Sequence, residues 1–318
     1  MNKDSILKGV LLCTIAGVSF GGQWPIAGTA LKVIDPFYFT LIRYLIVAVV
    51  LIGVLVVVEG KEKLKFEGKA FILWFFGTMA FTIYNFLVFV GQKMIGAKGA
   101  IIGSIMMALI PMVSVLVLWV YKKSKPPLFT LASVAVAFVG VLMVITKGDS
   151  SFFSVNREQI LPIFFMLISV FSWVIYTIGG SSFPGWSPLR YTTLSCLLGN
   201  ISSLVIIAVA TMFGYIHVPL FTDIVGIGWE MFYMSIVAGV IGVYTWNGGN
   251  KILTPINGSL FINLVPIVTF IISALNGYKI SQVELIGSVI TILALCANNL
   301  YQRTLKSTCV STNIETCK

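Results

Sequence analysis

The chain contains few charged residues and a single histidine. Of its 318 residues, 10% are charged and 58% are hydrophobic. A soluble domain of this length needs more polar surface than that to cover its core. The scarcity of charge therefore indicates an integral membrane protein, for which the bilayer is the solvent.

Other absences exclude several kinds of chemistry. The one histidine, His217, lies in a loop, whereas a Ser–His hydrolase or a zinc protease needs histidine at membrane depth. An aspartyl site needs two buried acids, and Glu230 is the only acid well within an apolar run. No Walker sequence is present, and the five cysteines show no metal-binding spacing. We therefore expect a protein that is not an enzyme, with no metal site and no cofactor.

Long apolar runs are abundant, and short polar breaks separate them. A helix needs roughly 20 apolar residues to cross a bilayer. We predict ten membrane helices, at residues 9–30, 37–58, 70–91, 98–120, 128–146, 160–180, 188–213, 224–247, 255–276 and 283–301. Lys and Arg concentrate in alternate loops, which predicts that both chain ends are cytoplasmic. That distribution explains the formal charge of +10 without nucleic acid as a partner.

The two halves of the sequence resemble each other. "ALIPMVSVLVL" (108–118) matches "NLVPIVTFIIS" (263–273), and Pro36 matches Pro188 at a similar offset. Several matches in order, at a nearly constant offset, indicate an internal repeat. Each half has five predicted spans, an odd number, so the second half enters the membrane from the opposite side. Inverted repeats are typical of secondary transporters, whose substrate site lies near the midplane between the halves.

These features resemble the drug/metabolite transporter superfamily, EamA type. FGGQ (20–23) stands where that family often has Trp-Gly-Ser-Asn, Pro36 followed by Arg43 resembles its Pro…Arg spacing in helix two, and Trp173-x-x-Tyr176 resembles the start of its second repeat. The resemblance covers about residues 9–302 and departs from the family where Ser195 replaces a repeat of Arg43.

The resemblance implies an all-α integral membrane protein of ten transmembrane helices, built as two inverted five-helix repeats. The repeats are residues 1–150 and 151–303, followed by a short cytoplasmic tail at 304–318. It also implies a central cavity, lined chiefly by helices 1, 3, 4, 6, 8 and 9, that opens alternately to either side.

The stretch FGGQWPIAG (20–28) combines features that are unusual within one membrane helix. Its glycines allow close helix packing, and Pro25 removes the hydrogen bond to the carbonyl of Gly21 and bends the helix. Polar groups at membrane depth must face protein or a wet cavity, so we expect Gln23 or Trp24 to face the interior. The stretch is either a gate hinge with a ligand-facing amide and indole, or a packing kink. Pro111 and Pro266 are expected to bend helices four and nine symmetrically.

Two charged residues fall within predicted spans. Arg43 lies about 10 Å into the second span, where a charge costs at least ~2.5–3.5 kcal/mol. It binds a substrate carboxylate, forms a gating ion pair, or serves the scaffold by snorkelling or capping carbonyls; the resemblance favours the scaffold. Glu230 pairs with Arg43, binds a cation or carries a proton, or else it is an interfacial residue near Trp229.

Polar and aromatic residues supply further candidates for substrate binding. Those on the helices that the family uses for its cavity are Asn85, Trp173, Tyr176, Tyr244 and Asn263. Aromatic walls with a few amides suit a mid-sized amphipathic metabolite, and helix packing is the alternative role for each residue.

We expect a secondary transporter of a small organic metabolite, such as an amino acid, nucleoside, vitamin or drug-like amine. Alternating access and export are what the resemblance implies. The compactness of the chain and the absence of targeting signals favour the plasma (inner) membrane, and we expect the solute and the lipid bilayer as partners, with a monomer compatible with the sequence. Phosphorylated substrates need clustered Lys or Arg, and only Arg43 is clearly within a span. The alternative is a channel or a receptor-like binding protein, although no charged or carbonyl-lined filter sequence is visible.

Overall fold

The computed structural model describes residues 3–123, 125–148, 157–253 and 258–312, and all the regular secondary structure within these ranges is helical. The α-helices are α1 (Lys3–Ala30), α2 (Pro36–Glu59), α3 (Ala70–Gly77), α4 (Tyr84–Ile95), α5 (Gly99–Ala108), α6 (Ile110–Lys122), α7 (Leu128–Thr146), α8 (Arg157–Gly179), α9 (Pro188–Met212), α10 (Phe221–Gly226), α11 (Gly228–Phe232), α12 (Val243–Leu253), α13 (Leu264–Leu275) and α14 (Gln282–Thr312). Short 3₁₀ turns span Lys61–Leu64, Gly96–Lys98, Gly180–Ser182 and Ser259–Asn263.

Within the described parts of the chain, seven helical stretches are long and apolar enough to cross a membrane, by length and composition. The helices Ile110–Val120 and Phe261–Leu275 are apolar but shorter. Two predicted spans, 98–120 and 224–247, are not single uninterrupted helices. The first is interrupted between α5 and α6, and the second between α10 and α11. Glycines at 226 and 228 flank the second break and weaken the helix there.

The predicted domain bounds meet the structure only in part. The boundary between 150 and 151, and the beginning of the span predicted at 255–276, lie outside the described residues. Helix α14 continues to Thr312, so the predicted tail begins within a helix, and residues 313–318 lie outside the described part of the chain.

Matching polar caps begin the second helix of each half. Asp35 accepts a hydrogen bond from the backbone N–H of Phe37 at 2.9 Å, immediately before Pro36 begins α2. Ser187 accepts one from the backbone N–H of Arg190 at 2.9 Å, immediately before Pro188 begins α9. Such caps satisfy an otherwise unpaired donor in the first turn, and proline fits there because it has no N–H to lose.

The irregular segments also recur in both halves. Wider π-helical segments occupy Thr78–Ile83, between α3 and α4, and Tyr233–Gly242, between α11 and α12. Their first residues are separated by the same number of positions as Pro111 and Pro266, which lie in the first turns of α6 and α13. The repeat in the sequence is thus a repeat of helix interruptions as well.

The packing of the helices follows the same pattern. Helix α1 packs on α12 and α13, and its counterpart α8 packs on α4 and α6; α2 pairs with α9, and α7 with α14. Each of these contacts in one half therefore has an equivalent contact between the corresponding helices of the other half. Helices α3 and α9 cross at backbone contact, because a Cβ atom added to Gly77 would lie 2.0 Å from the carbonyl oxygen of Ser195.

Candidate substrate site

A buried arginine marks the centre of the bundle. Arg43, on α2, is 3% exposed, and its Nε donates a hydrogen bond to the backbone carbonyl of Met234 at 2.9 Å. Its terminal nitrogens lie at longer range, 3.4 Å from Oδ1 of Asn85 and 3.5 Å from Oε1 of Gln23. The side chain therefore joins α1, α2, α4 and the second π segment at one point.

The amide of Asn85 holds this centre in place. Its Nδ2 donates to the carbonyl of Ala80 in the first π segment at 2.8 Å, and its Oδ1 also accepts from the hydroxyl of Tyr44 at 3.2 Å. Arg43 and Asn85 thus each bond to a carbonyl of a different π segment. Such segments are frequent at functional sites.

Arg43 is not neutralised by an acid. Among the described residues it forms no salt bridge, and its guanidinium lies instead near two aromatic rings, 4.8 Å from the centroid of Tyr44 and 5.9 Å from that of Phe89. The rings and the carbonyl offset only part of the cost of a buried charge. The centre of the bundle therefore carries a net positive charge.

Arg43 borders a small cavity of about 40 Å³, which has room for a few water-sized atoms. Gln23, Trp24, Asn85 and Trp173 line it together with Tyr84. The indole N–H of Trp24 is buried and has no hydrogen-bond partner among the described residues. The ring centroids of Tyr84 and Trp173 lie 5.0 Å apart, and the two rings form an aromatic wall.

A larger vestibule of about 330 Å³ adjoins this cavity. The two spaces share the residues Phe20, Phe81, Met107, Trp173, Thr192 and Val243. The vestibule reaches the exposed residues Thr177 and Pro188. A route therefore leads from Arg43 to one face of the bundle.

The opposite side of the cavity is closed. Phe39 lies one helical turn beyond Arg43, and Phe89 one turn beyond Asn85. Both rings are buried and pack edge to face, with centroids 5.4 Å apart. Beyond them, Nζ of Lys93 lies 3.5 Å from the carbonyl of Ile34. A groove of about 410 Å³ lies on this side and includes Lys93, but it shares no lining residue with the cavity. The cavity is thus continuous with the vestibule and separated by these rings from the groove on the other side.

A second buried arginine, Arg190, lies at the rim of the vestibule and forms an ion pair with Glu67. Arg190 is also 3% exposed, but it donates to the carbonyls of Lys63 at 2.9 Å and Lys65 at 2.6 Å, and to the carboxylate of Glu67 at 2.7 Å. Its guanidinium lies 3.8 Å from the ring centroid of Trp186. The hydrogen bonds from Arg190 and from the Trp186 indole lower the pKa of Glu67. Polar and cation–π contacts therefore fix loop 60–69 against the beginning of α9.

Pro25 leaves the carbonyl of Gly21 without its helical donor, as the sequence predicts, although α1 continues through it. The hydroxyl of Thr269, on α13, donates to this carbonyl at 2.8 Å. It also lies 2.9 Å from the carbonyl of Val265 in its own helix. A helix of the second half thus satisfies the group that the proline exposes.

We expect Thr269→Val to destabilise the protein by about 1–2 kcal/mol, because the substitution keeps the shape but leaves the buried Gly21 carbonyl unpaired. In a Pro25→Ala background the backbone N–H of residue 25 can satisfy that carbonyl, so the same substitution should cost less. Thermal unfolding of the two single variants and the double variant measures the coupling. Additive effects of the two substitutions on stability would show that the hydrogen bond from Thr269 does not compensate for the donor that Pro25 removes from the Gly21 carbonyl.

The structure gathers four of the predicted binding residues, Gln23, Trp24, Asn85 and Trp173, around Arg43. Tyr176 lines the vestibule. Tyr244 is 55% exposed and borders, with Glu59 and Lys251, a second groove that shares Thr192 and Val243 with both the cavity and the vestibule. Asn263 is buried and donates to Sγ of Cys296 at 3.3 Å.

The acids occupy other places. Glu230 is partly exposed and accepts a hydrogen bond from Thr29 at 3.2 Å, so it does not pair with Arg43. Glu284 is fully buried and pairs with Lys147 at 3.3 Å. Tyr44 and Thr192 line the cavity without having been predicted; the position of Tyr44 next to Arg43 was the available signal.

Comparisons with known proteins agree with this architecture. The model of the EamA-like transporter family matches residues 7–146 and 160–300. The chain is 44% identical over 303 residues to the uncharacterized transporter YrdR of Bacillus subtilis (strain 168), covering 95% of this chain and 94% of that protein. It is 29% identical to the uncharacterized transporter YyaM of the same organism, covering 80% and 81%.

A solved crystal structure has the same fold. It superposes with a TM-score of 0.63 at 18% identity, covering 96% of this chain and 99% of that one. The two matched segments of the family model coincide with the two halves of the internal repeat. The chain belongs to the EamA-like transporter family.

Proposed function

We propose that the protein is a secondary transporter that moves a small organic metabolite across the plasma membrane by alternating access, in the direction of export. The observation that carries the proposal is the cavity at Arg43, which side chains of both halves line and which is continuous with the vestibule but not with the groove on the other side. A substrate site near the midplane between two repeats is what rocking of the repeats requires.

Contacts between loops support ten crossings with inverted halves. Loop 60–69 and the beginning of α9, which the topology places on the cytoplasmic side, are joined by Arg190 and Glu67. The beginning of α2 and the end of α9, which it places outside, are joined by Tyr38 and Thr211 at 2.8 Å. In this topology both chain ends are cytoplasmic and the vestibule opens to the cytoplasm, the side from which an exporter takes up its substrate.

Counterflow in liposomes tests the proposal. Solutes are first selected by thermal stabilisation of the purified protein, from amino acids, nucleosides, vitamins, amines and organic acids. Liposomes loaded with the unlabelled solute are then diluted into a trace of the labelled one. A carrier accumulates label transiently above equilibrium and saturates; a channel only equilibrates it, and a receptor-like protein moves none. Either of the last two results would overturn the proposal.

A further inference from the structure

Side chains around the central cavity carry more hydrogen-bond donors than available acceptors. Oε1 of Gln23 and Oδ1 of Asn85 already face the guanidinium of Arg43. The hydroxyl of Thr192 lies 3.4 Å from that of Tyr176. Unsatisfied donors remain, namely the buried indole N–H of Trp24 and the guanidinium, two of whose contacts are long. A ligand that fits such a site supplies acceptors.

The charge at the site points in the same direction. No Asp or Glu lines either the cavity or the vestibule among the described residues. A cationic ligand would add a second uncompensated positive charge next to Arg43, in a medium of low dielectric constant. An anionic ligand would neutralise it, and a planar carboxylate matches the fork of a guanidinium.

The two spaces differ in size and lining, so they suit two different parts of one ligand: a small polar group and a larger apolar body. The cavity at Arg43, about 40 Å³, suits a single small polar group. The adjoining vestibule, about 330 Å³, is walled by aromatic side chains, among them Trp173, Tyr176 and Trp186. Aromatic walls of this kind hold an apolar or aromatic body.

We infer that the substrates are organic monocarboxylates with an apolar or aromatic body, whose carboxylate binds Arg43 while the body occupies the vestibule. This inference rests on the proposed function and narrows it, because it excludes amines, which the sequence alone left among the candidates. Arg43 is then the residue that selects the charge of the substrate.

The test compares three probes that share one skeleton: 3-phenylpropanoate, 3-phenylpropan-1-ol and 3-phenylpropan-1-amine. Calorimetric binding to the full-length protein in lipid nanodiscs, corrected with protein-free nanodiscs, gives the three affinities. We expect the carboxylate to bind about tenfold or more tightly than the alcohol, and the amine to bind most weakly, because hydrogen bonds to charged groups contribute about 1.5–3 kcal/mol. Equal or tighter binding of the alcohol or the amine would overturn the inference, and so would a failure of all three to bind.

Two variants test whether Arg43 causes the preference for the carboxylate over the alcohol. Arg43→Gln should lower the affinity for the carboxylate to that for the alcohol. Lys32→Gln should leave the ratio of the two affinities unchanged, because Lys32 lines a groove that shares no lining residue with the cavity or the vestibule. If Arg43→Gln does not fold, Trp24→Phe should still weaken the carboxylate more than the alcohol. A ratio unaffected by changes at Arg43 or Trp24 would contradict the assignment.

Transport separates this inference from the function on which it rests. Saturable counterflow of the amine with no preference for the carboxylate would overturn the substrate class and leave the transporter. Tight binding of the carboxylate without counterflow of any solute would support the binding site at Arg43 but contradict the proposal that the protein is a transporter.

Discussion

Gly77→Ala is expected to destabilise the protein by about 3 kcal/mol or more. The new Cβ would lie 2.0 Å from the carbonyl oxygen of Ser195 and 3.1 Å from the backbone nitrogen of Gly199. Both neighbours are backbone atoms of α9, so no flexible side chain can move aside. One of the two helices must be displaced, and with it the π segment that follows Gly77.

A matched control lies on α2. Gly53 is also within a helix, but a Cβ added there meets nothing within 4 Å, so Gly53→Ala should leave stability unchanged or raise it by up to about 1 kcal/mol through helix propensity. The measurement is the fraction of detergent-purified protein that stays monodisperse after heating. Similar midpoints for both variants would contradict the close crossing of α3 and α9.

The second large effect is a contrast between two arginines of equal exposure. Arg190→Met should lower stability by about 1.5–3 kcal/mol, because it leaves the carboxylate of Glu67 and two loop carbonyls without their donor. Arg43→Met should leave stability unchanged or raise it, because it removes a buried charge that has no acidic partner among the described residues. A residue that is costly to the fold and essential to binding is typical of a functional site.

Thermal midpoints of the two variants and the wild type give the comparison, with carboxylate binding measured alongside. We expect Arg190→Met to lower the midpoint and retain binding, and Arg43→Met to retain the midpoint and lose binding. If Arg43→Met is destabilised as strongly as Arg190→Met, the bond from Arg43 to Met234 is a structural tie, and the scaffold role is the correct one.

Local signals in the sequence predicted much of the fold. The polar break at Asp35-Pro36 ended one helix and began the next, as capping chemistry requires. Pro111 and Pro266 were expected to bend helices four and nine, but they lie in the first turns of new helices, because proline cannot supply the N–H that an uninterrupted helix needs. The π segments could not be predicted, since the apolar run through Tyr233–Gly242 has no residue that distinguishes them from ordinary helix.

The site was harder to predict because it depends on how the helices rotate about their axes. Val243 lines the cavity while its neighbour Tyr244 faces outward, and only packing against α1 and α2 decides between them. The buried carboxylate of Glu284 accepts hydrogen bonds from its neighbours Tyr278 and Ser281, but its charged partner is Lys147, in the other half of the chain. Such partners lie too far apart in sequence for any local pattern to pair them, and the same holds for Thr269 and Gly21.

The most direct test of the proposed mechanism is the accessibility of residue 107 from both sides of the membrane. Met107 lines both the cavity and the vestibule, and Met107→Cys can be made in a variant in which the five native cysteines are replaced by serine. An impermeant thiol reagent is applied to right-side-out and to inside-out vesicles. Alternating access predicts modification from either face, slowed in both cases by bound 3-phenylpropanoate. Modification from the vestibule face alone would show a pocket with one entrance and would contradict transport through this cavity.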